Sequence, residues 1–147
     1  MPSGPTHSQP DTPPIFFLDR GLGVRFVADA IRARGYEVVT MADVYPSGSD
    51  QHVADDEWIA LASSEGWVAL TKDAAITRDH HEALAASNLR VFALSNANLT
   101  GLQMAERFID NLHRVLQPAR KPGPFVDIVT PSGLERRWPR ADGQERK

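Results

Sequence analysis

Four short apolar runs, each separated from the next by a stretch of helical length, constrain this chain more than any other feature. They are Ile15-Phe16-Phe17-Leu18, closing on Asp19; Glu37-Val38-Val39-Thr40-Met41; Trp67-Val68-Ala69-Leu70-Thr71, followed by Lys72-Asp73; and residues 89–94. A short uninterrupted apolar run suits a strand covered on both faces, as in a parallel sheet sheathed by helices. Between the runs, residues 24–34 read as a helix with Val24, Val27, Ala28 and Ile31 on one face and Gly35 behind it. A second helix should begin at 54 or 55 and run to about 65, burying Trp58, Leu61 and Ala62, with Gly66 closing it. Residues 75–87 read as a third, weakly amphipathic helix. The alternation predicts a three-layer α/β domain with a mostly parallel central sheet. In such a sheet the binding crevice lies outside the carboxyl ends of the strands.

The clearest helix follows the fourth run, where Leu102, Ala105, Ile109, Leu112 and Leu116 make a continuous stripe. Thr100 and Gln103 have capping-box spacing at its start, and Pro118 stops it. The runs 125–130 and 134–138, on either side of Pro131-Ser132-Gly133, predict a C-terminal β-hairpin. The expected organisation is a disordered, proline-rich leader over 1–14, a domain over 15–117, and a linker, hairpin and charged tail over 118–147. Residues 43–53, with Pro46, Ser47, Gly48 and Ser49, read as a loop of the kind that carries function or disorder.

Composition removes several alternatives. No apolar run approaches the roughly 20 residues of a membrane span, and the leader lacks the apolar core of a signal peptide, so a cytoplasmic protein is expected. The absence of cysteine excludes disulfides and thiolate metal sites. A net charge of −3 argues against a generally basic nucleic-acid binder, but it is compatible with a concentrated acidic site.

The acids carry the chemistry. Asp19, Asp43 and Asp73 follow strands, and Asp55 and Asp56 open the helix between the second and third. Hard cations such as Mg²⁺ and Mn²⁺ prefer carboxylate oxygens, and clustered aspartates need a counter-charge. A plainer role exists for each: Asp19 and Asp73 could cap the next helix, Asp43 could be an ordinary loop residue, and Asp55 or Asp56 could be an N-cap. Arg20 and Lys72 stand where they could hold a phosphate backbone. His80 and His81 are adjacent on a helix and point in different directions, which favours surface roles. Trp58 and Trp67 read as core. Arg136, Arg137 and Arg140 form a basic stretch that could meet RNA or an acidic partner, or simply aid solubility.

Several pieces together resemble the PIN-like nuclease family, in its Mut7-C/DUF5615-like branch and near the VapC-type toxins. They are Phe17-Leu18-Asp19-Arg20, Gly35-Tyr36-Glu37-Val38-Val39 leading to Asp43, the helix from Asp55-Asp56-Glu57-Trp58 to Ala62, and the run from Gly66 to Thr71-Lys72-Asp73. The resemblance implies a metal-dependent endoribonuclease using Mg²⁺ or Mn²⁺. It implies catalytic roles for Asp19, Asp43, Asp55, Asp56 and Asp73, with Asp19, Asp43, Asp55 and Asp73 as metal ligands. Asp55 and Asp56 compete for one position. It further implies the toxin of a type II toxin–antitoxin pair, with RNA as substrate, an antitoxin protein as partner, and homodimerisation. The chain departs from the pattern at Ala75 and Ile76, where relatives often carry an acid and an aromatic, which leaves one ion or two open. The rival readings are a phospho-accepting receiver-like domain and a catalytically silent interaction module of the same fold.

Overall fold

All four apolar runs form strands, and the hairpin adds two more to the same sheet. β1 (Ile15–Leu18), β2 (Glu37–Thr40), β3 (Val68–Thr71), β4 (Arg90–Leu94), β5 (Phe125–Thr130) and β6 (Gly133–Trp138) lie in the order β2-β1-β3-β4-β5-β6. Among the described residues, only the β5–β6 pair is antiparallel. The computed structural model describes residues 12–45 and 53–140, so most of the expected leader, part of the loop after β2 and the end of the tail lie outside it. The hairpin is no appendage: β5 continues the parallel sheet, with Arg90 opposite Phe125 and Leu94 opposite Val129.

The helices are α1 (Phe26–Arg32), α2 (Met41–Val44), α3 (Asp55–Glu65), α4 (Ile76–Asp79), α5 (His81–Ala85) and α6 (Gly101–Val115). Side chains alternate along the strands. Phe16, Leu18, Val68, Leu70, Phe92 and Leu94 pack with α1 and α6, while Phe17, Ala69, Val91 and Ala93 pack with α3, α4 and α5. From β1 the chain passes to β2 on one side, then returns to place β3 on the other. That reversal opens a crevice at the carboxyl end of β1, the switch point at which open α/β sheets bind ligands.

Local chemistry adjusts several expectations. The first helix begins only at Phe26, because Arg20–Leu22 form a 3-10 turn and Gly23 has φ 72°, so Val24 is exposed. In α3, Ile59 is buried with Trp58 and Ala62, and Leu61 only partly so. Residues 75–87 do not form one helix: His80, at φ −133° and ψ 39°, ends α4 and begins α5. After β2, Thr40 and Asp43 close a capping box around the four-residue α2. The capping box at Thr100 and Gln103 forms as expected. The buried face of α6 is Met104, Ala105, Phe108, Leu112 and Val115, and Leu102, on the first turn, is 58% exposed. The buried arc is centred on Phe108, one residue away from the row that the apolar spacing picks out. Among the described residues no helix is long and apolar enough to cross a membrane.

Phe17 packs against two indoles, with ring centroids 5.5 Å from both Trp58 and Trp67, the latter stacked at 10°. Phe17→Ala should destabilise the fold by about 3–5 kcal/mol, the usual cost of an emptied aromatic site in a core. The urea-unfolding midpoint measures this, with an unchanged slope marking an unaltered unfolded state.

Candidate active site

The β1–β3 pairing places Asp19 beside the end of β3. Its backbone N–H extends the ladder to the Leu70 carbonyl at 3.1 Å. The carboxyl is then held from two directions: Gly21 N–H donates to Oδ1 at 2.6 Å, and the Thr71 hydroxyl donates to Oδ2 at 2.5 Å. Thr71 is fully buried, and its Oγ1 accepts from the Asp73 N–H at 3.0 Å. Asp73 in turn accepts the Ala75 N–H on Oδ1 at 2.9 Å. One hydroxyl thus ties the two strand-end acids into a single hydrogen-bonded line. The aliphatic stem of Lys72 lies over Gly21, so that a Cβ there would stand 3.0 Å from it. Glycine leaves the stem its room.

Burial pushes the Asp19 carboxyl above the usual range; the Thr71 hydroxyl and the Gly21 N–H oppose this, the charge of Asp55 adds to it, and Arg20 lowers it. Asp19 and Asp55, 36 positions apart in the chain, therefore feel each other as like charges. Asp55 opens α3, and two side chains fix its orientation. The buried Trp58 donates from Nε1 to Oδ1 at 2.9 Å, and His80 Nε2 lies 3.0 Å from Oδ2. The other ring nitrogen of His80 is 2.9 Å from Asp56 Oδ1. The ring of His80 thus bridges the two adjacent carboxylates. Of the two adjacent acids, Asp55 is the one whose charge reaches Asp19, while the Asp56 side chain is 69% exposed. Arg20 donates from Nη2 to the Val53 carbonyl at 2.7 Å, tying the turn after β1 to the approach to α3.

Asp43 stands at the same edge of the sheet on the outer strand, since Thr40 is opposite Leu18. Its carboxylate accepts from Thr40 N–H at 2.9 Å, with Arg32 of α1 3.6 Å away. It is turned toward α1, whereas Asp55 belongs to the opposite layer. The structure thus brings Asp19 and Asp55 within electrostatic reach of each other, links the Asp73 backbone to Asp19 through Thr71, and gives Asp43 partners of its own. His80 and the indole of Trp58 are participants that the sequence reading missed, for neither spacing nor residue type links position 80 to position 55. Among the described residues no three carboxylate or imidazole side chains converge closely enough to cage a metal ion alone. The donor set still suits Mg²⁺ or Mn²⁺, because Mg²⁺ keeps several waters and needs only one or two carboxylates besides substrate phosphate.

The shift of Asp19 has a definite sign. A carboxyl whose folded pKa is raised leaves the folded state fully stable at low pH and penalises it as pH rises through that pKa. Asp19→Asn should therefore stabilise the protein at neutral pH, with the gain vanishing on acidification. Urea unfolding at pH 7 and pH 4 tests both halves; equal gains at the two values would contradict the assignment.

Residues 14–96, which hold all the acids of this crevice, match the family described as PIN like domain. A curated relative, "Putative ribonuclease VapC45" of Mycobacterium tuberculosis (strain ATCC 25618 / H37Rv), is 35% identical over 122 residues, covering 82% of this chain and 88% of its own length. No solved structure gives a significant match. Family match, extended identity and the placement of the strand-end acids agree: the chain belongs to the PIN-like domain family.

Proposed function

We propose that the protein is a metal-dependent endoribonuclease, acting in the cytoplasm as the toxin of a type II toxin–antitoxin pair. The observation that carries this reading is the buried Asp19 carboxyl, pushed up by its own burial and by Asp55, at the switch point of a sheet whose family includes a relative named as a ribonuclease. Two carboxylates held close without a counter-charge work against each other, and a divalent cation relieves the conflict. Asp19 and Asp55 would be the primary ligands, Asp73 would stand next along the same edge, and Asp43, engaged by Thr40 and Arg32 at the outer strand, would be the most distant of the acids. A bound Mg²⁺ or Mn²⁺ supplies a water of lowered pKa and neutralises charge developing on the phosphoryl oxygens.

The chain's own groups set up that chemistry. Thr71 and Gly21 fix the Asp19 oxygens, and Trp58 and His80 fix those of Asp55, so both carboxylates are oriented before substrate arrives. Lys72 spans the turn after β1 and makes no ion pair among the described residues, so its ammonium can receive a phosphate of the RNA. Arg20 is the second cation of the edge; it lowers the Asp19 carboxyl while bracing Val53. An antitoxin protein would control the enzyme by covering this crevice, and a homodimer is the expected assembly.

Incubating the full chain with single-stranded RNA and Mg²⁺ or Mn²⁺ should give cleavage that EDTA abolishes and added metal restores. Asp19→Asn and Asp55→Asn should each lower kcat by about a hundredfold or more, the scale of losing one preorganised electrostatic group. Asp56→Asn should cost much less. Cleavage that persists in EDTA, or survives Asp19→Asn, would overturn the reading.

His80→Ala should lower the affinity for Mn²⁺ about 10- to 100-fold, because groups that orient a metal-binding carboxylate commonly contribute on that scale. Isothermal titration with the metal alone measures it.

A further inference from the structure

The hairpin contains one irregularity. Asp127 is opposite Arg136 and Val126 is opposite Trp138, which leaves Arg137 as an extra residue in β6. In an unbroken strand, residues 136 and 138 would share a face. Here Arg136 donates from Nε to the buried Asp127 at 2.5 Å and lies 4.4 Å from the Phe125 ring, on the α1–α6 side. Trp138 instead packs on the α3–α5 side, with the His81 ring edge-on at 5.6 Å. Between them, Arg137 reaches 63 positions back along the chain, and its Nη1 donates to the Ala74 carbonyl at 3.2 Å. A bulge re-aims side chains and increases local twist, and bulges recur beside active sites. This one carries a guanidinium to the residue directly after Asp73.

Arg137, Arg78 and Thr77 line a hollow of about 400 Å³ whose remaining walls are Ala74 and Ala75. The same two alanines help to line a second hollow of about 430 Å³ that includes Lys72 and Asp73. The two hollows therefore adjoin, running from Lys72 and Asp73 toward the hairpin. Their shared wall is small enough to let a sugar–phosphate chain lie close. The Thr77 hydroxyl, beside the two arginines, is buried and has no hydrogen-bond partner among the described residues. Arginine keeps its charge under all ordinary conditions and matches phosphate oxygens with paired donors.

We propose that Arg137 and Arg78 form a second phosphate seat, which holds the backbone of single-stranded RNA one step beyond the bond being cut. The seat rests on the ribonuclease reading above, because its position is defined by adjoining the Lys72–Asp73 edge. A strand whose scissile phosphate lies at that edge has to route the next phosphate past it, and the Ala74–Ala75 wall leads to these guanidiniums. The hairpin that completes the sheet is thus also part of the substrate track, although it lies outside the residues that match the family.

The test separates binding from cleavage. The full chain carrying Asp19→Asn is titrated with a fluorescein-labelled single-stranded RNA of mixed sequence, by anisotropy, over a series of KCl concentrations. Arg137→Gln keeps an N–H donor for the Ala74 carbonyl while removing the charge. Arg137→Gln and Arg78→Ala should each weaken binding about tenfold and reduce the slope of log K against log salt by roughly 0.7. Lys121→Ala, an exposed cation before β5, should leave affinity and slope in place. In the protein with Asp19 intact, the loss should fall on KM far more than on kcat, and Arg137→Lys should recover part of it. Failure of the parent to bind RNA, or unchanged affinity and slope in both arginine variants, would overturn the seat. So would variants that keep RNA binding but lose binding to polyglutamate, since the arginines would then serve an acidic protein. Reduced slopes in a chain that never cuts RNA would uphold RNA binding at these arginines but overturn both the ribonuclease reading and the seat's place beside a scissile bond; cleavage with unmoved slopes would overturn the seat alone.

Discussion

The hydrogen bond from the Thr71 hydroxyl to the Asp19 carboxylate joins the two strands that make the crevice. It exists because β1 and β3 are neighbours, with Leu18 opposite Leu70, so that the residues following each pair meet at the edge. A carboxylate in this position is surrounded by a sheet built for apolar side chains, and burial acts against its charge. Thr71 and Gly21 lessen that penalty without removing it. What remains is a site that favours any positive group able to enter, which is the condition a cation-dependent enzyme requires.

The second carboxylate is delivered with comparable control by a different route. Asp55 lies on the first turn of α3, where an aspartate would otherwise serve only the helix N-terminus. Trp58, one turn along, has its ring in the core against Phe17 and its N–H on Asp55. The packing that stabilises the α3 layer therefore also sets the orientation of a site acid. Phe17 belongs to β1, two residues before Asp19, so both acids are referenced to the same short strand.

Much of this was legible in the residues. The apolar runs fixed four strands, because a strand buried on both faces leaves little freedom in composition, and the strand-end acids followed from them. The sequence also marked Gly66 and the Thr100–Gln103 box, since each has a local backbone reason to stand where it does. Other features depend on relations between distant segments. The choice between Asp55 and Asp56 turns on which faces Asp19, and their adjacency in the chain says nothing of that. In the sequence, residues 75–87 have the pattern of one helix with His80 on its surface, whereas a break at His80 turns its ring between two carboxylates. Asp43 was legible as an acid near the edge, but its capping box needed the four-residue α2 that its loop-like surroundings concealed.

The hairpin shows how strand pairing can bring a distant guanidinium to the unit that carries the acids. Had β6 paired without its bulge, Arg136 and Arg137 would alternate in the ordinary way and Trp138 would share the face of Arg136. One added residue sends Arg136 to a buried aspartate, Trp138 to the opposite layer and Arg137 to the loop behind Asp73. The pairing of the buried Asp127 with the exposed Arg136 fixes the register at the point where the ladder shifts, because a slip would strand the Asp127 charge in the sheet. The position of Arg137 is thus a consequence of an electrostatic requirement one residue away, and the basic character of the hairpin divides into a guanidinium that holds the fold and one that reaches the Ala74 carbonyl in the loop after Asp73.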